Sequence, residues 1–262
     1  MSVVDPSCEI GPGVEIGPFC VIGPNVKIGA GTVLQNNITI AGRVTIGENN
    51  RIFPGVVIGG EPQDISYRGT ETEVIVGDHN VIRECVTINR ASEKEDGVTR
   101  VGSNGYFMGC VHIAHDCKVG DNVVMANGSM LGGHVHVDDR VTISGNVAVT
   151  HYASIGAYSF VGGSSRVLQD IPPYMLADGN PARPRCVNIV ALKRNNFPSS
   201  DIRFLTEAYR LLFRSRVGLE NANEILRNKV GECDAIDHLL TCIKFQQEGR
   251  HGRGREKRRN AA

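Results

Sequence analysis

One ten-residue stretch, VHIAHDCKVG at residues 111–120, gathers His112, His115 and Asp116. Imidazole titrates near about pH 6.5, so it is the side chain best suited to take and return a proton at neutral pH. A neighbouring carboxylate can fix the tautomer of such a base and stabilise the imidazolium that forms. His134 and His151 follow further on, with Gly133 beside the first of them. A glycine N–H next to the base could donate to a developing oxyanion. No serine or cysteine nearby has the look of an activated nucleophile. A base plus an oxyanion donor suits direct acyl transfer from a thioester to a hydroxyl or an amine.

These residues must be positioned by the scaffold, and the scaffold is periodic. From Val4, steps of six meet Ile10, Ile16, Ile22, Ile28, Leu34, Ile40, Ile46, Ile52 and Ile58. The frame returns at Val76, Ile82 and Ile88, slips by one residue, and runs from Val101 to Val167. In a chain that is 41% hydrophobic, these 25 apolar stops would arise by chance on the order of once in 10⁸. Four residues after each stop the side chain is usually small or β-branched, as at Cys20, Val26, Thr32, Cys117 and Val123. Glycine often follows the stop. A period of six fits neither an α-helix nor simple alternation. It fits short parallel strands joined by tight turns. The repeat resembles the hexapeptide-repeat family, and the resemblance implies an all-β left-handed parallel β-helix, three hexads per coil; a small C-terminal α-helical domain is expected after it. Cys8, Cys20 and Cys117 fall on the coil's small inward positions.

On such a coil, a step of 18 leads to the residue one coil above. His115, Gly133 and His151 then share one column, and Asp116 and His134 share the next. His112 lies on the same coil as His115. The four histidines, the aspartate and the glycine form one patch, offset from the inward stops and therefore facing outward or toward a neighbouring subunit.

The period predicts the β-helix over 1–184. It breaks at 59–75 and 89–100, two polar segments expected to project as loops from one corner. The first carries Gln63, Asp64, Tyr67 and Arg68. Helices are expected within 185–249, the first capped by Ser199 or Ser200. Residues 250–262, RHGRGREKRRNAA, are expected to be a basic, disordered, solvated tail. The net formal charge is zero, which gives no field toward nucleic acid. There is no apolar run long enough to cross a membrane and no basic-then-apolar leader at the N-terminus. Eight cysteines without a C-x-x-C pair read as reduced thiols in a cytoplasmic protein.

HIAHDC, GHVHVDD, QDIPPY, GNPARP and VNIVALKR together resemble the bacterial UDP-N-acetylglucosamine O-acyltransferase family, over residues 3 to about 215. The resemblance implies a cytoplasmic homotrimer that moves a 3-hydroxyacyl chain from acyl carrier protein to the sugar's 3-hydroxyl, without a cofactor. It implies His115 as general base, Asp116 as its orienting partner and the Gly133 N–H as oxyanion donor. His112, His134 and Asp64 would hold the sugar, His151 would belong to the substrate site, and Asn188 and Arg194 would hold the nucleotide end. The chain departs from the family at Ser66, at Thr150-His151 and at Asn195. These departures leave a 3-amino sugar open as acceptor. The alternatives are a coenzyme A-dependent acetyltransferase, a γ-type zinc carbonic anhydrase and a non-catalytic hexapeptide protein. His112-x-x-His115 is not the zinc family's spacing, so no metal is expected.

Overall fold

The computed structural model describes residues 1–230 and 233–259. The six-residue frame becomes short parallel strands, arranged in sheets of nine, eight and ten strands. Successive strands of one sheet are a coil apart in sequence, as in Val3↔Val21 and His112↔Met130. Three strands make one turn of a triangular prism, a left-handed parallel β-helix. The aliphatic stops fill its interior. Ile113 and Leu131 lie in the common core, both fully buried. Burying each such side chain contributes about 1.5–3 kcal/mol. Val4 and Ile10 remain 38% and 40% exposed, because they sit in the first coil, at the open end of the stack. The glycine that follows a stop has a steric reason. A Cβ on Gly17 would stand 2.3 Å from the Gln35 carbonyl oxygen of the next coil. Cys20 and Cys117 are buried in the small inward column, and Cys8 is partly buried.

The register widens to Val57↔Thr87 and Glu73↔Val98 where the chain leaves the coil. The excursions run over 61–72 and 90–97, a little shorter than expected, because strands Val57–Gly60, Glu73–Val76, Thr87–Asn89 and Val98–Val101 absorb their ends. Both leave at the same corner, between the nine- and eight-stranded sheets.

An antiparallel pair, Met175–Gly179 with Ala182–Val187, ends the ten-stranded sheet. Helices α1 (Ile189–Arg194), α2 (Ser199–Tyr209), α3 (Leu219–Val230) and α4 (Asp234–Gln247) follow. They close a second core around Leu192, Leu205, Leu226 and Leu239. Neither Ser199 nor Ser200 caps α2. Pro198 occupies the cap position, and the Ser200 hydroxyl turns to Asp201. No helix among the described residues is long and apolar enough to cross a membrane.

The C-terminal tail differs from the solvated arm expected. It folds back on the prism and ends in α5 (Gly254–Arg259). The Arg253 backbone N–H donates to Asp170 at 2.9 Å, and its guanidinium donates to the His151 carbonyl at 2.6 Å. Arg255 donates to the carbonyls of His134 and Tyr152. The basic side chains find fixed carboxylates and corner carbonyls here, a geometry that composition does not reveal. Residues 260–262 of the expected tail lie outside the described residues.

Candidate active site

The corner between strands His112–Ile113 and Lys118–Val119 places His115 and Asp116 side by side. Asp116 takes the left-handed backbone conformation, φ 61°, as do His134 (63°) and Tyr152 (62°) on the next two coils. His115 Nδ1 lies 2.7 Å from Asp116 Oδ2. With the carboxylate as acceptor, Nδ1 carries the proton and Nε2 is left as the basic nitrogen. Among the described residues Nε2 has no hydrogen-bond partner.

Asp116 is fully buried. Its carboxylate accepts the Ser92 hydroxyl at 2.7 Å and the Ser92 N–H at 3.1 Å, and its own N–H donates to Thr99 Oγ1. Burial alone would push this carboxyl up. The hydrogen bonds from His115 and Ser92, with His134 close by, outweigh it and hold the group below the usual carboxylate range.

Gly133 is glycine because the imidazole of His115 lies over it. A Cβ there would stand 2.5 Å from His115 Cε1 and 2.7 Å from Nε2. The Gly133 N–H makes no hydrogen bond among the described residues, while its carbonyl accepts from Tyr152. A base nitrogen and an unengaged N–H donor thus adjoin one another.

His112 is half-buried, with Nδ1 2.7 Å from the Thr87 hydroxyl. Burial, then the neighbouring His115, lowers its pKa, so it is neutral near pH 7. His134 does not face outward as its column suggested. It is 3% exposed, stacked on Tyr152 at 4.3 Å, and set edge-on to His115 at 5.2 Å. His151 is exposed, with Nε2 3.0 Å from Glu256 of the tail. The patch points away from the prism axis, but the 90–97 excursion and the tail cover much of it.

Asp64 sits on the first excursion. Burial works against its charge, but an ion pair with Lys94 and hydrogen bonds from Ser66 prevail and depress its pKa strongly. Lys94 is on the second excursion, where its N–H meets the Ser92 hydroxyl at 3.3 Å. Asp64 is therefore linked to Asp116 through Lys94 and Ser92 of its own chain.

Asn188 caps α1, accepting from the Ala191 N–H and donating to the Tyr158 carbonyl. Arg194 is exposed at the end of α1. Neither hydrogen-bonds to the His115 cluster. Asn195 accepts from Arg140 at 2.9 Å. The sequence reading missed Ser92, Thr99, Glu95 and Arg255, and the only signal for the first three was the polarity of the second excursion.

His115, Asp116 and His134 offer three donor atoms within 4.8 Å of one another, a spacing a metal ion could use. The Asp116 oxygen nearest both rings already accepts from Ser92 and His115. Binding a metal there would displace those bonds.

Stacked hexapeptide coils, a helical C-terminal domain and a base–carboxylate–glycine corner define a hexapeptide-repeat acyltransferase. The description "Bacterial transferase hexapeptide (six repeats)" matches residues 1–36, and "Udp N-acetylglucosamine O-acyltransferase; Domain 2" matches residues 170–254. The acyl-[acyl-carrier-protein]--UDP-N-acetylglucosamine O-acyltransferase of Leptothrix cholodnii is 45% identical over 254 residues, 96% of each chain. The enzyme of the same name from Gloeothece citriformis is 44% identical over 179 residues, 68% of this chain and 64% of its own. The crystal structure of LpxA from Acinetobacter baumannii superposes with a TM-score of 0.88 at 38% identity, covering 91% of this chain and 93% of that one. The chain belongs to the UDP-N-acetylglucosamine O-acyltransferase family.

Proposed function

We propose that this protein transfers a 3-hydroxyacyl chain from acyl carrier protein to the 3-hydroxyl of UDP-N-acetylglucosamine, with His115 as general base. One observation carries the mechanism: His115 is tied through Nδ1 to Asp116 at 2.7 Å, while its Nε2 is open beside the Gly133 N–H. Nε2 takes the proton of the sugar hydroxyl as that oxygen bonds to the thioester carbonyl carbon. Nδ1–H stays on Asp116, whose charge stabilises the imidazolium. The carbonyl electron pair moves onto oxygen, where the Gly133 N–H meets it. The pair then returns, the C–S bond breaks, and the imidazolium protonates the departing thiolate. No covalent enzyme intermediate forms, and the steps use no cofactor.

His112 and Asp64 hold the sugar. Arg194, whose side chain makes no hydrogen bond among the described residues, is free to meet a phosphate at the nucleotide end. Asn188 spends its side chain on a helix cap and would reach the ligand only by giving up one of those bonds. Arg194 and Asn188 stand apart from the His115 cluster within one chain. A neighbouring copy would supply them, so we read the working form as a cytoplasmic homotrimer. The buried His134 supports the base rather than touching the sugar.

The test is mass spectrometry of the protein incubated with UDP-N-acetylglucosamine and a pool of 3-hydroxyacyl carrier proteins, alongside the 3-amino sugar. The wild type should add one acyl chain to the hydroxyl sugar. His115→Ala should lose about 10²–10⁴ in kcat, with a smaller change in KM. Near-normal turnover in His115→Ala would overturn the assignment, and product on the amino sugar alone would move the acceptor to an amine.

A further inference from the structure

Arg255 brings the C-terminal tail to the catalytic corner. Its side chain is 16% exposed. One guanidinium nitrogen donates to the carbonyls of His134 and Tyr152, stacked one coil apart. The other meets Glu95 Oε1 at 3.4 Å and His136 Nε2 at 2.8 Å. His136 must accept there, and burial followed by the Arg255 charge pushes its pKa down to about 3. Glu95 Oε1 lies 3.3 Å from His134 Nδ1, and Asp116 Oδ2 lies 3.7 Å from His134 Nε2. His134 Nδ1 is buried without a hydrogen bond, so the Glu95 carboxylate acts on it through charge rather than through an aligned bond. Arg255, Glu95, His134, Asp116 and His115 thus form one chain of neighbours.

We propose that Arg255 is a positioning residue for the base: it neutralises Glu95 and pins the corner carbonyls that carry His134 and the His115 imidazole packed against it. The proposal rests on His115 being that base. Without Arg255, two carboxylates, Asp116 and Glu95, flank two imidazoles out of water, and the cluster must take up a proton to balance them. The other charged or titratable groups facing it do not substitute. His112 is neutral near pH 7, and His136 already accepts from Arg255. Lys94 is paired with Asp64, and Glu256 with Arg253 and His151. His251 packs on His136 and Tyr152 stacks on His134, Lys118 is paired with Asp96, and Asp170 accepts from the Ser154 and Arg253 N–H groups. Among the described residues Arg255 is the only lysine or arginine paired with Glu95.

The experiment compares wild type, Arg255→Gln, Arg255→Lys, Glu95→Gln and the Arg255→Gln/Glu95→Gln double variant. It reads the pH dependence of kcat and, independently of turnover, the imidazole NMR titration of His115 and His134. Arg255→Gln should move the acid limb and the titration to higher pH by about one unit. Arg255→Lys should recover most of the shift, Glu95→Gln should move both readouts to lower pH, and the double variant should return near wild type. A loss of kcat in Arg255→Gln at every pH with no shift would overturn the proposal, as would a double variant that stays shifted. If Arg255→Gln does not fold, an unshifted Glu95→Gln overturns it. An inactive His115→Ala beside an unshifted Arg255→Gln removes this proposal alone. An active His115→Ala removes the base assignment on which the proposal rests, and the proposal falls with it.

Discussion

Two corners of the prism turn the chain with the same left-handed residue and fill that position differently. Between the eight- and ten-stranded sheets it is held in five successive coils by Gly31, Asn49, His79, Asn104 and Asn122, mostly glycine and asparagine, before Arg140 and Tyr158 take it over in the last coils. Between the nine- and eight-stranded sheets it passes from Asn25 and Gly42 in early coils to Asp116, His134 and Tyr152 in three successive later ones. Glycine and asparagine enter this conformation readily, whereas a side chain such as that of Tyr152 costs about 1–2 kcal/mol. The first corner answers a backbone requirement. The second accepts strain at three successive coils, which sets His134 against both Asp116 and Tyr152, and both excursions and the tail gather on it. A solenoid permits this because a corner residue points away from the core. One column can be specialised while the aliphatic stops beneath stay unchanged.

The sharpest way to break the contrast is to give the active corner an ordinary side chain. Gly133→Ala should leave the fold intact, since the three atoms nearest its Cβ all belong to the His115 ring rather than to backbone. It should displace that imidazole and lower kcat by about 10²-fold, the usual effect of misplacing a reacting group by an ångström. Circular dichroism and steady-state kinetics on one preparation would check both halves. Unchanged kcat would mean that His115 does not work from above Gly133.

The buried carboxylate at the active corner should also leave a mark on acid stability. Asp116 has a depressed pKa in the folded protein. Its stabilising contribution is therefore complete above the ordinary carboxylate range and is lost as pH falls through the folded value. Asp116→Asn should be less stable near pH 7 and should flatten the fall of Tm between pH 6 and the acid limit of folding. A Tm–pH curve parallel to wild type would show that the charge is not held as described.

The contrast also explains what the sequence could disclose. Strand spacing in a β-helix is set by backbone geometry, so a stop every six residues revealed the prism. Steps of 18 then bring His115, Asp116 and Gly133 together from the sequence alone. The same arithmetic gives the direction of a side chain but not what lies over it. His134 was expected to face the substrate, yet Glu95 and Tyr152 enclose it. Ser92, Glu95 and Arg255 come from segments without a period, and only folding brings them to the corner. Asn188 directly precedes a helical run, where asparagine favours the cap, but nothing in the sequence shows that its amide also donates to the Tyr158 carbonyl.

The smallest expected effect lies at the quiet corner. Asn122 holds φ 56°, and its backbone N–H bonds to the Ser103 carbonyl one coil below. Alanine keeps that N–H but lacks asparagine's tolerance for the left-handed region, so Asn122→Ala should cost about 1 kcal/mol of stability. Denaturant unfolding should register it, while kcat and its pH profile remain those of wild type. Asn122→Gly separates the two possible reasons for asparagine. If backbone conformation is the reason, glycine should match or exceed wild-type stability, because it enters this region without a Cβ. If glycine loses as much as alanine, the Asn122 side chain makes a contribution of its own. The quiet corner would then be less purely a matter of backbone than its run of glycine and asparagine implies.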